Sequence, residues 1–389
     1  MDNARLQKNS TFSDIEHLCQ RICDSDDIKL QIPNKLAESG IFGIEGAALQ
    51  LFATWLRKNK PNEILHTAVA DKLSPEGFTD LCNSAFGLVS LRLSDQIWSN
   101  SKEPIDRRVA LTPAIPIFEK LRAEDYKNSF KGLYVAIPAI RAASHHSRNR
   151  EFDSPLYNNE HVVNAEKFKR IVEHIISSIV PSKMSKEMLN DDTIYHISEI
   201  IRELFSNTHR HGRTDEKGRI LAKNFRLITF RSHDITNARL QKIIGSGGGD
   251  LALFGSNWMP NKDGHLRVLD VTVSDSGPGY ARRWTGLSQN ELTPQDETNA
   301  VINCFIKNRS SDVETSSGVG LSNVLLDLRR VRGWFRLRTG RISVEKAFFD
   351  EKTNARIERK DIHCKSNFMD GTSFNFVIPL SVSGGKEQQ

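Results

Sequence analysis

Hydrophobic positions along the chain change their spacing several times, and each change marks an element. Residues 28–33 (IKLQIP) alternate apolar and polar side chains, the period of a strand with one buried face. In residues 46–59, Leu49, Phe52, Trp55 and Leu56 recur at three- and four-residue spacing, which predicts an amphipathic helix. A second strand is expected at 64–69 and another at 132–138 (GLYVAIP). Between them, Phe78, Leu81, Cys82, Ala85, Phe86 and Val89 predict one helix over 75–99. A polar stretch at 142–159 then interrupts the pattern and is the expected domain boundary.

Beyond it, Phe168, Ile171, Val172, Ile175 and Ile176 define a helix over 165–179, followed by a longer one over 190–211. The pattern continues as a strand at 220–230, an irregular insert at 232–264 and a strand at 266–274. A glycine-punctuated turn, a helix and a Ser-rich loop lead to residue 317. A helix over 319–331, strands at 334–339 and 342–349, and a closing strand at 372–380 complete the reading. The prediction is an α/β protein in two parts. Residues 1–150 form an N-terminal α/β sensor or interaction domain. Residues 160–382 form an α/β sandwich, one mixed sheet with helices on one face, and residues 383–389 a polar tail.

Composition narrows the class. A length of 389 residues suits two domains, and 26% charged residues without low-complexity tracts suit a globular chain. The longest apolar runs fall well short of the ~18 residues needed to cross a bilayer. The first 27 residues show no signal-peptide pattern. A cytoplasmic protein with no membrane partner is expected. The five cysteines are scattered, and reduced thiols are favoured over a zinc site or disulfide framework. The net charge of +6 is spread along the chain, so nucleic acid is not expected as the primary partner.

Four segments carry candidate chemistry. Glu203, Asn207 and His211 are four residues apart and share one helix face, with Arg210 beside them. A carboxylate and an amide one turn apart can serve as a base and as an oxygen ligand for Mg²⁺. Asp275-Ser-Gly277-Pro-Gly279 follows a hydrophobic strand, and its aspartate can accept a hydrogen bond from an exocyclic amine. Ser317-Gly318-Val319-Gly320-Leu321 opens a helix, whose first N–H groups suit a phosphate. Last, Thr372 begins a strand of alternating Phe374, Phe376 and Ile378. Each segment alone is as well explained by ordinary helix, turn or strand chemistry.

Taken together in this order, E-x-x-x-N, D-x-G-x-G, G-x-G-L and G-T-x-F-x-F-x-x-P-L resemble the N box, G1 box, G2 box and last strand of the GHKL superfamily. That group contains gyrase, heat-shock-chaperone, histidine-kinase and mismatch-repair ATPases, and the resemblance covers about residues 190–380. It implies a Bergerat-type fold that binds ATP with Mg²⁺. By resemblance, Glu203 is the general base and Asn207 the magnesium ligand, while Arg210 and His211 lie near the phosphates. Asp275 would read the adenine amino group, with Gly277 and Gly279 making room for the base and Thr372 offering a hydroxyl beside it. Gly318 and Gly320 would form the hinge of a lid over the triphosphate, with Leu321 anchoring the helix behind it and Ser317 and Val319 also placed at the bound nucleotide. Thr208 departs from the usual alanine, and no F box is identifiable in 286–317.

Three activities fit this resemblance. An ATP hydrolase acting as a nucleotide-driven conformational switch in signalling or defence ranks first. A serine/threonine-type protein kinase of anti-sigma-factor style ranks second, and a non-hydrolysing, nucleotide-gated binding module third. Only nine residues follow Leu380, an ending that resembles the histidine kinases and anti-sigma kinases rather than proteins with a downstream transducer domain. No H-E-[LI]-[KR]-T-P phosphoacceptor box precedes Glu203, which disfavours histidine autophosphorylation. A protein partner or a homodimer through the N-terminal domain is expected.

Overall fold

The computed structural model describes residues 2–25, 28–36, 42–58, 64–70, 74–142, 151–181, 189–246, 249–257, 264–306, 320–350 and 352–380. The chain is α/β, with two five-stranded sheets. In the first, β1 (Asp2–Arg5), β2 (Ile28–Ile32), β3 (Ile64–Thr67) and β4 (Gln96–Trp98) lie parallel in chain order. β5 (Pro104–Ile105) returns antiparallel to β4. Parallel neighbours need crossovers, and helices Phe12–Asp24, Ile44–Lys58 and Ala85–Leu93 lie in them.

The single helix expected over 75–99 is divided. A 3₁₀ turn (Pro75–Phe78) and one helical turn (Thr79–Cys82) come first. Ser84 then turns extended, at φ −134° and ψ 149°, and its Oγ accepts from the Gly87 N–H to start the helix Ala85–Leu93. Ser94 is extended again, and the chain enters β4. The apolar positions are all buried as their spacing suggested; the serine cap decided the break.

Next come β6 (Tyr134–Arg141), a small hairpin of β7 (Tyr157–Asn158) and β8 (His161–Val162), then β9 (Asn224–Thr236), β10 (His265–Asp275), β11 (Trp334–Ala347) and β12 (Ile362–Pro379). All but the hairpin form the second sheet, in the order β11-β12-β10-β9-β6, antiparallel at every pairing. The mixed sheet is therefore the N-terminal one, and the mixed sheet expected for the C-terminal part is corrected to an antiparallel one. Each of its strands lies beside one running the opposite way, so none of its pairings needs the same-direction crossover of a parallel pair.

The expected boundary also needs correction. β6 lies before residue 150 yet pairs with β9 from Tyr134 opposite Arg231 to Arg141 opposite Asn224. A division at 150 cuts through the second sheet. Pro138 is tolerated there because β6 is an edge strand, where a missing N–H removes no ladder bond on the open side.

Helices cover both faces of this sheet, not one. Side chains alternate across it. Thr272, Ser274, Ser373 and Asn375 face the helix Ile44–Lys58 and the turn before it, so closely that a Cβ on Gly46 would collide with Ser373 Oγ. Val271, Val273 and Asp275 point to the other side, where helices Ala165–Ile179 and Asp191–His211 pack. The helix Ile44–Lys58 is consequently held between the two sheets and is buried without interruption from Gly46 to Leu56, as expected of a helix apolar on all sides. Its Trp55 Nε1 donates to Ile28 O on β2 at 2.8 Å, and its Gln50 Nε2 to Arg338 O on β11 at 3.0 Å. One hydrophobic core runs through both halves.

Three further expectations shift. The insert 232–264 is ordered where described: β9 runs on to Thr236, and helices Asn237–Ser246 and Gly249–Asn257 bury Leu240, Ile243, Leu251 and Phe254 against Phe42 and Trp334. The strands at 334–339 and 342–349 are one strand, β11, with its register irregular around Gly340 at φ +57°. β12 starts at Ile362, ahead of the expected 372. No helix among the described residues is long and apolar enough to cross a membrane.

Candidate functional site

The helix Asp191–His211 organises the site. Asn190 caps its start, accepting from the Thr193 N–H at 2.8 Å, and Ile197, Ile200, Ile201, Leu204 and Phe205 are buried along one stripe. That packing turns Glu203, Asn207 and His211 to a half-buried face. Glu203 lies against the first residue of helix Gly320–Arg330: a Cβ on Gly320 would stand 2.5 Å from Glu203 Oε2. The opposite carboxylate oxygen accepts from Arg202 Nη2 at 2.6 Å, and Arg202 also forks onto Glu199. Asn207 Oδ1 accepts from Arg210 Nη2 at 3.1 Å, and His211 Nδ1 accepts from Arg283 Nε at 3.0 Å.

The same helix ends on Asp275. A Cβ on Gly212 would approach Asp275 Cβ to 2.5 Å, so only glycine lets the helix terminus cross the end of β10 so closely. Asp275 pairs with Thr372 on β12 and Arg226 on β9. Its side chain is 5% exposed, and Oδ1 accepts from the Gly277 N–H at 2.7 Å. Burial pushes the Asp275 carboxyl up to about 7, against the pull of the Gly277 amide and the Arg57 and Arg226 guanidiniums.

The glycines after Asp275 have a structural reason of their own. A Cβ on Gly277 would crowd Gly212 Cα and the His211 carbonyl; Gly279, at φ +78°, lies against Thr339 Oγ1. Protein fills the space that the sequence reading left to a base. Gly320 and half-buried Leu321 lie in the first described turn of helix Gly320–Arg330. Ser317, Gly318 and Val319 lie outside the described residues, as do all of residues 307–319. Helix Pro294–Cys304 is tied to β11 through buried Glu297, which accepts from the Arg341 backbone N–H at 2.7 Å and from its Nε at 2.5 Å.

No family model and no curated protein matches the chain. Its chemistry therefore rests on the arrangement of its own residues: a helix carrying a carboxylate and an amide, with a buried, partly neutralised carboxyl at its end and a second helix N-terminus beside the first carboxylate.

Several charged groups that the sequence did not single out surround this arrangement. Arg57, from the N-terminal half, and Arg282 hold Asp370 at 3.5 and 3.0 Å. Arg226 and Glu151 form a fully buried ion pair at 2.7 Å, with His209 Nδ1 3.2 Å from Arg226 Nη1. Burial and the neighbouring Arg226 and Arg213 push the His209 imidazole down to about 4. Nothing local marks Glu151, which opens the described part of a polar stretch, or Arg57, which lies 218 positions before Asp275. The basic run 329–338 is also internal in part: Arg336 pairs with Glu345 and Arg338 with Glu16.

The residues around Asn207 fit the metal that the resemblance implies, whereas those packed around Asp275 leave no room for a base in this structure. Asn207 offers a hard oxygen with a lone pair left after Arg210 is satisfied. Among the described residues no cluster of three His, Cys, Asp or Glu side chains could hold a metal alone.

Proposed function

We propose that the C-terminal half binds ATP with Mg²⁺ and hydrolyses it, the cycle acting as a conformational switch in signalling or defence. The observation that carries this reading is the position of Glu203, whose carboxylate abuts Gly320 while the end of its own helix abuts Asp275. One rigid helix thereby links a base to both a phosphate-type helix N-terminus and a buried carboxyl.

In this reading Glu203 orients and deprotonates the attacking water, and Arg202 restrains its rotation. Asn207 Oδ1 would hold Mg²⁺, which would supply charge neutralisation at the phosphates. The N–H groups in the first described turn of helix Gly320–Arg330 would be the phosphate donors, and Arg210 and His211 stand one turn from Asn207. For Asp275 and Thr372 to accept from the adenine amine, the close contacts of Gly212 and Gly277 with this carboxyl would have to open on binding. Catalysis of this kind rests on positioning and charge neutralisation more than on covalent chemistry.

Phosphate release from ATP and ATP affinity, measured side by side on the full chain and on Glu203→Gln, test the reading. Loss of release by about 10²–10⁴-fold, with ATP affinity kept within a few-fold, is expected. A wild-type chain that binds ATP and releases no phosphate refutes hydrolysis; label passed from the γ-phosphate to a co-expressed protein would move the activity to the partner kinase.

A further inference from the structure

Helix Phe12–Asp24 carries two thiols that the site around Glu203 does not use. Cys19 and Cys23 lie one turn apart, so their side chains leave the same face of the helix. Both point at one atom: Cys19 Sγ is 3.4 Å and Cys23 Sγ 3.8 Å from the Phe368 carbonyl oxygen on β12. The two thiols also lie within hydrogen-bonding reach of each other. Cys19 is buried and Cys23 half-buried, so the pair is reached through Cys23.

The spacing decides what such a pair can hold. Cβ atoms four residues apart on a helix are about 5–6 Å from each other, whereas a disulfide needs roughly 3.5–4.5 Å. An intact helix therefore does not close a disulfide here. A single bridging atom suits the distance, because two metal–thiolate bonds of about 2.3 Å set the sulfurs roughly 4–4.6 Å apart. Lys58, whose Nζ donates to the Cys23 carbonyl oxygen, favours the thiolate of Cys23, and the Arg338 guanidinium favours that of Cys19. Glu16, Asp24 and Asp370 oppose them. Among the described residues no third His, Cys, Asp or Glu joins the pair in a metal-holding group. Zinc and the hard cations ask for more ligands than this; a soft ion of low coordination does not.

We propose that Cys19 and Cys23 together bind one soft monovalent cation of the copper(I) class, each sulfur supplying a thiolate. The ion replaces both thiol protons: two thiols and Cu⁺ give one bis-thiolate anion and two H⁺ released to solvent. Lys58 and Arg338 balance the charge of that anion. The site shares no residue with the nucleotide site and does not rest on it.

Titration of the reduced full chain with Cu(I), without oxygen and against the coloured chelator bicinchoninate, tests this. Uptake of one tight equivalent is expected. Cys23→Ser keeps a hydroxyl donor for the Phe368 carbonyl, so it retains the melting temperature and weakens that uptake about a hundredfold or more, since one thiolate is left. Cys19→Ser does the same, and Cys364→Ser, at an exposed cysteine outside the pair, leaves uptake unchanged. Below the thiol range the wild-type affinity rises about two decades per pH unit, and that of Cys23→Ser about one, as the protons released per ion require. Asp275→Asn takes up Cu(I) like wild type, which separates this site from the nucleotide site. Wild-type uptake no tighter than that of Cys23→Ser overturns the proposal. So does release of a single proton per ion, or loss of the tight equivalent in Cys364→Ser.

Discussion

Asp275→Asn tests whether the carboxyl at the heart of the site is held against its own chemistry. In the folded chain burial raises this acid from the ordinary 3.8 to about 7. Between those values the unfolded chain has released the proton and the folded chain keeps it. The native state then binds more protons, so stability falls as pH rises from about 4 to about 7; below that window both states are protonated and the contribution vanishes. A gap of about three pH units at about 1.4 kcal/mol each makes the full loss about 4 kcal/mol. Asparagine cannot ionise, and its carbonyl oxygen can still accept from the Gly277 N–H. Urea unfolding without nucleotide, run on both proteins from pH 4 to 8, should show a stability advantage of the variant that grows from near zero to about 4 kcal/mol. The same variant should bind ATP more weakly, because the carboxylate proposed to read adenine is gone. A stability difference that stays constant across this pH range refutes the reasoning.

Gly320→Ala would push a methyl group onto Glu203 Oε2 and should cut phosphate release about tenfold, roughly 1.4 kcal/mol in the barrier. Release equal to wild type would show that the two elements do not meet as described. Arg226→Met removes one of the two guanidiniums paired with buried Glu151 and leaves Arg141 at 3.2 Å, so it should cost about 1–3 kcal/mol in urea unfolding; no measurable loss contradicts the buried pair. His209 is held neutral, with its imidazole down to about 4. The unfolded chain takes up the proton near the ordinary 6.5, so this residue adds stability above 6.5 that is lost as pH falls towards 4. Proton NMR of the ring should show a midpoint near 4, and an ordinary midpoint near 6.5 would refute the burial argument.

The sequence by itself determined the elements whose signal is local. The stripe of Ile197, Ile200, Ile201, Leu204 and Phe205 made the helix of Glu203 legible, and alternation at Phe374, Phe376 and Ile378 did the same for β12. Spacing along one helix also fixed that Glu203, Asn207 and His211 would share a face, since helical geometry needs no tertiary contact to set it.

Tertiary structure decided what depends on residues far apart in the chain. Strand direction in the second sheet, the enlistment of β6 into it and the burial of helix Ile44–Lys58 between two sheets follow from which surfaces meet. Apolar period carries no information about the partner surface. The glycines at 212 and 277 look like turn residues in the sequence, whereas the fold requires them because backbone and carboxyl close to within contact there. The charges behave the same way: Arg57, Arg226 and Glu151 read as solvent-facing residues until the fold removes water from around them. Only then does pairing become obligatory, because the energy of a charge depends on the medium that surrounds it.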